Sequence, residues 1–331
     1  MNMDLKSNFY LILLKLFFVE SAINGSVSDN PNDVHFYLHP YPENPEQTIE
    51  LLPWDKKTLK RFEFRSRNKT LFLIHGFISN SQTHMPVTLR NEYLCSGLNY
   101  NVITVDWGLL SLPAESPLTI PVILKSFPVV VQNIPRVSKR IAKFIEFLVD
   151  QDFSTLQQIH LVGHSLGCHV AGQVGHRIQI IRPGQKLGRI SGLDPSGPSF
   201  QHLPLDLILD ESDASFVDVY HTNTGILGYL GIMGHVDFYP NGGRLQPGCF
   251  GESICSHNIA VEVFAVTINQ VVNACKCKHF KDWGLRIYCP CDDENLDIRA
   301  GELIPTNGTE GQYFFTTSPS IRLCVPFEFN C

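Results

Sequence analysis

The chain has 331 residues, 44% of them apolar, and a formal net charge of −6. That length and apolar content suffice for a large buried core, so a globular fold is expected. The modest acidity, without any block of Lys or Arg, excludes a nucleic-acid footprint.

In chain order, the first feature is the apolar stretch "FYLILLKLFFV" (9–19), preceded by Lys6 and followed by the small residues Ser21 and Ala22. Eleven residues with Lys15 embedded are too few to span a bilayer, which takes about 20. A signal peptide over residues 1–22 is expected, cleaved between Ser21 and Gly25. A single catalytic domain over 23–331 should follow. The ten cysteines all lie beyond the signal. In an oxidising compartment they favour disulfides over zinc binding. The sequons at Asn68 and Asn307 suit glycosylation of a secreted, extracellular chain.

Five apolar runs have strand length: "TLFLIHG" (70–76), "YNVITVDW" (100–107), "IHLVGHS" (159–165), "LGRISGLDP" (187–195) and "FVDVYHT" (216–222). They are nearly continuous, as suits strands buried on both faces. Between them, 137–149 places Ile141, Phe144, Ile145 and Leu148 on one helical face. Residues 166–181 predict another helix, ended by Pro183-Gly184. Residues 111–132 read as irregular. The alternation predicts an α/β fold with a mainly parallel central sheet and helices on both faces.

The chemistry centres on Gly163-His164-Ser165-Leu166-Gly167. The pattern recurs by chance, but here it stands between a strand and a helix. There the two glycines permit the sharp turn that pushes a serine outward as a nucleophile. A serine needs a base, and the base needs an orienting carboxylate. Asp194, in "GLDPSGP", ends the next strand, beside the serine's own. Asp106 and Asp218 are rivals, the latter better read as structural. By chain order His221, His235 and His257 all qualify as the base, whereas His75 and His164 are close but poorly placed. The oxyanion needs two backbone amides, expected from Leu166 and from Phe77 after "LIHG".

Together, "LFLIHGF", "NVITVDW", "VGHSLGCHVAG", "GLDPSGPSF", "FVDVYHTN", "GHVDFYPNGG", "QPGC" and "CSH" resemble the pancreatic-lipase family of animal extracellular lipases, over about 34–319. The resemblance implies an α/β-hydrolase fold, with Ser165 as nucleophile, Asp194 as acid, His257 as base, and Phe77 and Leu166 at the oxyanion hole. It also implies a disulfide between Cys249 and Cys255, and a structural calcium site at Asp210 and Asp213 completed by the carbonyls of Leu205 and Ile208. Solvated loop acids are the competing reading of those two aspartates, and no cofactor is required for the chemistry. The chain ends soon after the catalytic region. No C-terminal β-sandwich and no colipase partner are therefore expected. Two facing C-x-C pairs, 275/277 and 289/291, can form two bridges.

Only five residues separate Cys249 from Cys255, where triacylglycerol lipases of the family carry a much longer lid. The loop 223–234 is short as well. Both features resemble the phospholipase A1 branch. The expected function is hydrolysis of the sn-1 ester of a phospholipid at a lipid surface, with little rate jump at the interface. Triacylglycerol or galactolipid hydrolysis is the alternative. From another class, a catalytically silent, yolk-like lipid-binding protein competes, but silent members lose triad residues that match here.

Overall fold

A computed structural model describes residues 27–61, 64, 66, 68–112, 118–277, 281–282, 287–288 and 298–317. The expected signal peptide, Cys289, Cys291, Cys324 and Cys331 lie outside the described residues. The strands are β1 (His35–Leu38), β2 (Ile49–Glu50), β3 (Lys69–Ile74), β4 (Tyr100–Asp106), β5 (Ile159–His164), β6 (Arg189–Leu193), β7 (Val217–Tyr220), β8 (Val236–Pro240), β9 (Val272–Lys276), β10 (Lys281–Asp282), β11 (Ile287–Tyr288), β12 (Ile298–Ala300) and β13 (Gly311–Phe315). The helices are α1 (Lys56–Arg61), α2 (His84–Cys95), α3 (Gly108–Ser111), α4 (Ile120–Asp150), α5 (Leu166–Ile181) and α6 (Ser253–Asn269).

Among the described residues the main sheet runs β12-β9-β13-β8-β7-β6-β5-β3-β4-β1-β2. From β13 to β4 every pairing is parallel, and the margins are antiparallel. The two-residue period of a strand explains why both faces are apolar. Along β3, Phe72 and Ile74 enter one core with α4 and α5. Leu71 and Leu73 enter a second core with α2 and α6. The mainly parallel sheet covered on both faces is thus the expected α/β-hydrolase architecture.

The five sequence-predicted strands are present as β3 to β7, and the 166–181 helix is α5. The expectation for residues 111–132 needs correction. Helix α4 begins at Ile120 and contains Pro128 and Pro135 in its interior. Each proline removes a backbone donor and reads as a breaker. Val130, Ile134, Val137, Ile141, Phe144 and Leu148 are all buried along one stripe. Burial of that stripe, rather than local propensity, stabilises the helix through the prolines.

Candidate active site

Parallel pairing places the ends of β5 and β6 side by side, with His164 opposite Leu193. Ser165 and Asp194 are therefore adjacent residues just past adjacent strand ends, and the Ser165 amide donates to Leu193 O at 3.1 Å. Ser165 has φ 56° and ψ −120° and caps α5. This left-handed turn is costly for a residue with a side chain, and the surroundings enforce it. A Cβ on Gly163 would lie 2.4 Å from Gly167 O, and one on Gly167 would lie 2.1 Å from Ile74 O. Strand, turn and helix close tightly only because neither has a side chain.

Asp194 is fully buried. Its Oδ1 accepts from the amides of Thr222 and Asn223 at 2.8 and 3.0 Å. Its Oδ2 lies 2.5 Å from His257 Nδ1. An ionised carboxylate accepts, so His257 carries its proton on Nδ1 and leaves Nε2 free to take one. His257 stands near the start of α6, and the Cys249–Cys255 disulfide anchors the turn before it, with Cα atoms 5.5 Å apart. The ring of His164 lies against that of His257, centroids 4.9 Å apart, and its Nε2 is 3.3 Å from His257 O. Burial, with the nearby His257, pushes the His164 imidazole down to about 3. His164 is thus a neutral ring whose Nε2–H donates to the His257 backbone.

Ser165 and His257 line one cavity of about 630 Å³. Its walls are mainly apolar, with Phe77, Met85, Leu124, Phe127, Leu227 and Val261 among them. No hydrogen bond joins Ser165 Oγ to His257 among the described residues; such contacts commonly tighten only with substrate bound. Gly76 brings the backbone leading to Phe77 against the serine, for a Cβ there would lie 2.9 Å from Ser165 Cβ. Leu166 is the first residue of α5, where a backbone amide has no carbonyl one turn earlier in the helix to donate to.

The rival residues are occupied elsewhere. His221 is buried against Asp237, and His235 Nδ1 accepts from the Val217 amide. Asp218 makes a paired contact with Arg189 at 2.9 and 2.8 Å. Asp106 accepts from Ser81 and the Gly108 amide. His75 stacks on Trp107 and accepts that residue's amide. Cys168 is a buried thiol directed at Gly163 O, and Cys275 and Cys277 are both disulfide-bonded.

The sequence reading missed the two amides after β7 that hold Asp194, and Gly228, which presses on it. A Cβ on Gly228 would lie 2.5 Å from Asp194 Oδ1. The signal available was "HTNTG" directly after a strand parallel to β6, where backbone amides open toward the neighbouring strand end. Asp210 and Asp213 frame a short 3₁₀ turn beside α5. Asp213 is fully buried, burial pushes its carboxyl up to about 8, and its Oδ1 has no hydrogen-bond partner among the described residues. An orphaned buried carboxylate oxygen fits an oxygen-seeking cation. No helix among the described residues is long and apolar enough to cross a membrane.

A family model described as "Lipase" matches residues 19–288. The chain is 33% identical to pancreatic lipase-related protein 2 of Myocastor coypus, covering 73% of this chain and 48% of that one. It is 34% identical to lipase member H of Mus musculus, covering 72% and 49% respectively. It is 37% identical to inactive pancreatic lipase-related protein 1 of the same animal, covering 82% and 60%. The chain thus spans about half the length of the first two of these relatives.

Proposed function

The chain belongs to the lipase family, and from that premise we propose that it is a secreted serine hydrolase of acyl-lipid esters. The observation that carries this reading is the 2.5 Å Asp194–His257 hydrogen bond beside an apolar cavity that also holds Ser165. Ser165 Oγ attacks the ester carbonyl carbon while His257 Nε2 takes its proton. Asp194 holds the imidazole in the required tautomer and stabilises the imidazolium. The amides of Phe77 and Leu166 meet the oxygen that becomes negative. Collapse expels the alcohol, protonated by His257, and leaves an acyl group on Ser165. Water, deprotonated by the same histidine, then frees the fatty acid.

The substrate we assign is a phospholipid cleaved at the sn-1 ester. The support is the cover beside the cavity. Helix α6 already begins at Ser253, which leaves Phe250, Gly251 and Glu252 as the loop inside the disulfide. Three residues extend at most about 11 Å, and their ends are clasped. Phe250 stands wholly in solvent, and Ile254 lines the cavity. Such a loop cannot sheath a groove for long acyl chains. Asp210 and Asp213 would hold a calcium ion with the carbonyls of Leu205 and Ile208. Its charge would satisfy the buried carboxylate and brace the segment against α5. Asn68 and the exposed Asn307 are the glycan acceptors of this reading.

Product analysis on a phospholipid with distinguishable acyl chains, beside a triacylglycerol, tests the assignment. The expected products are the sn-1 fatty acid and the 2-acyl lysophospholipid. Preference for triacylglycerol, with a steep rate rise at its solubility limit, would overturn the phospholipid reading. Failure of a fluorophosphonate probe to label Ser165 would favour a silent lipid-binding protein.

A further inference from the structure

A second aspartate–histidine pair lies behind the first, and the cavity does not reach it. His221 and Asp237 are both fully buried. His221 Nε2 lies 2.7 Å from Asp237 Oδ1. The same Oδ1 accepts from the Met233 amide at 3.0 Å, and Oδ2 accepts from the Gly234 amide at 3.1 Å. Among the described residues His221 Nδ1 has no hydrogen-bond partner, so there Asp237 is the ring's one polar tether. His221 also stacks on Tyr239, centroids 4.7 Å apart.

These donors come from the two ends of one loop. His221 directly follows β7, whereas Met233 and Gly234 close the segment that leads into β8. One carboxylate therefore clasps both ends of the loop 222–234. Inside the clasp, the amides of Thr222 and Asn223 hold Asp194 Oδ1. The Gly228 backbone presses on the same carboxylate, and Leu227 forms part of the cavity wall. The loop is stitched to the segment beyond Asp194 as well, through Gly197 N to Leu227 O at 2.8 Å and Tyr229 N to Pro195 O at 2.6 Å.

We propose that Asp237, acting through His221, is a positioning residue that aims Asp194 at His257 by clasping the loop 222–234. The inference rests on the catalytic reading of Ser165, Asp194 and His257 given above. Charge-assisted hydrogen bonds to a buried carboxylate are short and directional, so this clasp fixes the loop ends more tightly than packing alone. Releasing the His221 ring removes the side-chain tether immediately before Thr222 and leaves the backbone bond from His221 N to Phe238 O at 2.8 Å. The two amides that hold Asp194 then lose their register, and the carboxylate swings relative to the imidazole. A displacement near 1 Å at a catalytic group costs about 100-fold in rate.

The test separates positioning from folding. His221→Phe keeps a ring over Tyr239 and deletes the N–H. His221→Gln returns an amide N–H to the place of Nε2. The Asp194–His257 hydrogen bond is read directly, as the far-downfield proton resonance that disappears in His257→Gln. The expected results for His221→Phe are loss of that resonance and a kcat lower by about 100-fold, with KM within about twofold. His221→Gln should retain the resonance and recover kcat to within about tenfold of the wild type. A wild-type resonance and kcat in His221→Phe would overturn the proposal, as would equal damage in two variants that both unfold cooperatively on heating. If His221→Phe does not fold, Asp237→Asn decides by the same two readings, since an amide cannot accept from all three donors. If the wild-type protein cleaves no ester, the enzymatic reading falls, and the resonance comparison still decides this one.

Discussion

Strand β6 carries a polar cluster at each end, and the two have opposite designs. At its start, Arg189 pairs with Asp218, while Glu302 accepts from Tyr93 and Tyr100, and Arg189 Nη1 lies 3.5 Å from Glu302. Ser191 donates to Asp218, and His160 Nε2 bonds Ser191. Every member but the half-buried Tyr100 is buried, and each charge faces an opposite one. Just past the end of β6 stands Asp194, with φ 44°, beside Ser165, with φ 56°. There the backbone is held in an unfavourable conformation and the side chains open on a cavity. Five residues along one strand, about 17 Å, separate a cluster closed on itself from one left incomplete for a substrate. Chemistry requires the incompleteness, and the closed cluster ties the 301–303 segment to the sheet.

The difference predicts which property each end governs. The largest effect belongs to Ser165→Ala. Turnover of phospholipid or a soluble ester should fall by at least about 10⁴-fold, with thermal unfolding essentially unchanged. Substantial residual hydrolysis would break the comparison at the open end. Next comes Arg189→Met, which strands two buried carboxylates. Breaking a buried ion pair in this way costs about 3–5 kcal/mol, read by denaturant unfolding. The kcat of the molecules that remain folded should stay within about twofold of the wild type. A variant that kept its stability but lost turnover would mean that the two ends are not separate.

A third prediction sharpens the open end. Gly228→Ala places a methyl group 2.5 Å from Asp194 Oδ1, and one partner must move. Overpacking of this kind costs about 1–3 kcal/mol. Because the displaced partner is the acid, kcat should fall further than stability alone explains. Saturation kinetics beside a melting curve checks this, and a stability loss with unchanged kcat would show that the loop yields instead.

Much of this was legible in the sequence, and the reason is physical. Strands β3 to β7 are buried on both faces and so stand out as apolar runs. The elbow needs glycines at fixed spacing, and Asp194 stands where a parallel neighbour must end. The choice of His257 over His221 and His235 was not available from the residues, because all three follow Asp194 in the chain. The structure separates them by what each ring touches, which depends on pairing between β7 and β8 and on the approach of α6. The start of α4 was hidden because its prolines argue locally against a helix that tertiary burial upholds. The ion pair from Arg189 to Glu302 joins residues 113 positions apart, a distance over which no periodicity carries information.

The smallest effect concerns the cavity rim. His84 opens α2 and lines the cavity, and its Nε2 lies 2.7 Å from Glu262 Oε1 on α6. The hydrogen bond that His84 donates to Glu262 raises the His84 pKa above its ordinary value of 6.5, against the opposing effect of partial burial. A histidine whose folded pKa is raised contributes stability in full below its unfolded pKa, and that contribution is lost as pH rises through the folded value. His84 is half exposed, so water and salt screen the pair and its effect on stability is small. The sensitive measurement is the titration itself. In the wild type, the His84 NMR signals should titrate with a midpoint above 6.5, and Glu262→Gln should lower it. An unchanged midpoint in Glu262→Gln would mean that the pair does not form in solution. At the closed end, deleting a partner costs folding because the charges left behind have no water to turn to. At the rim, deleting Glu262 should only shift a titration, because His84 still reaches solvent.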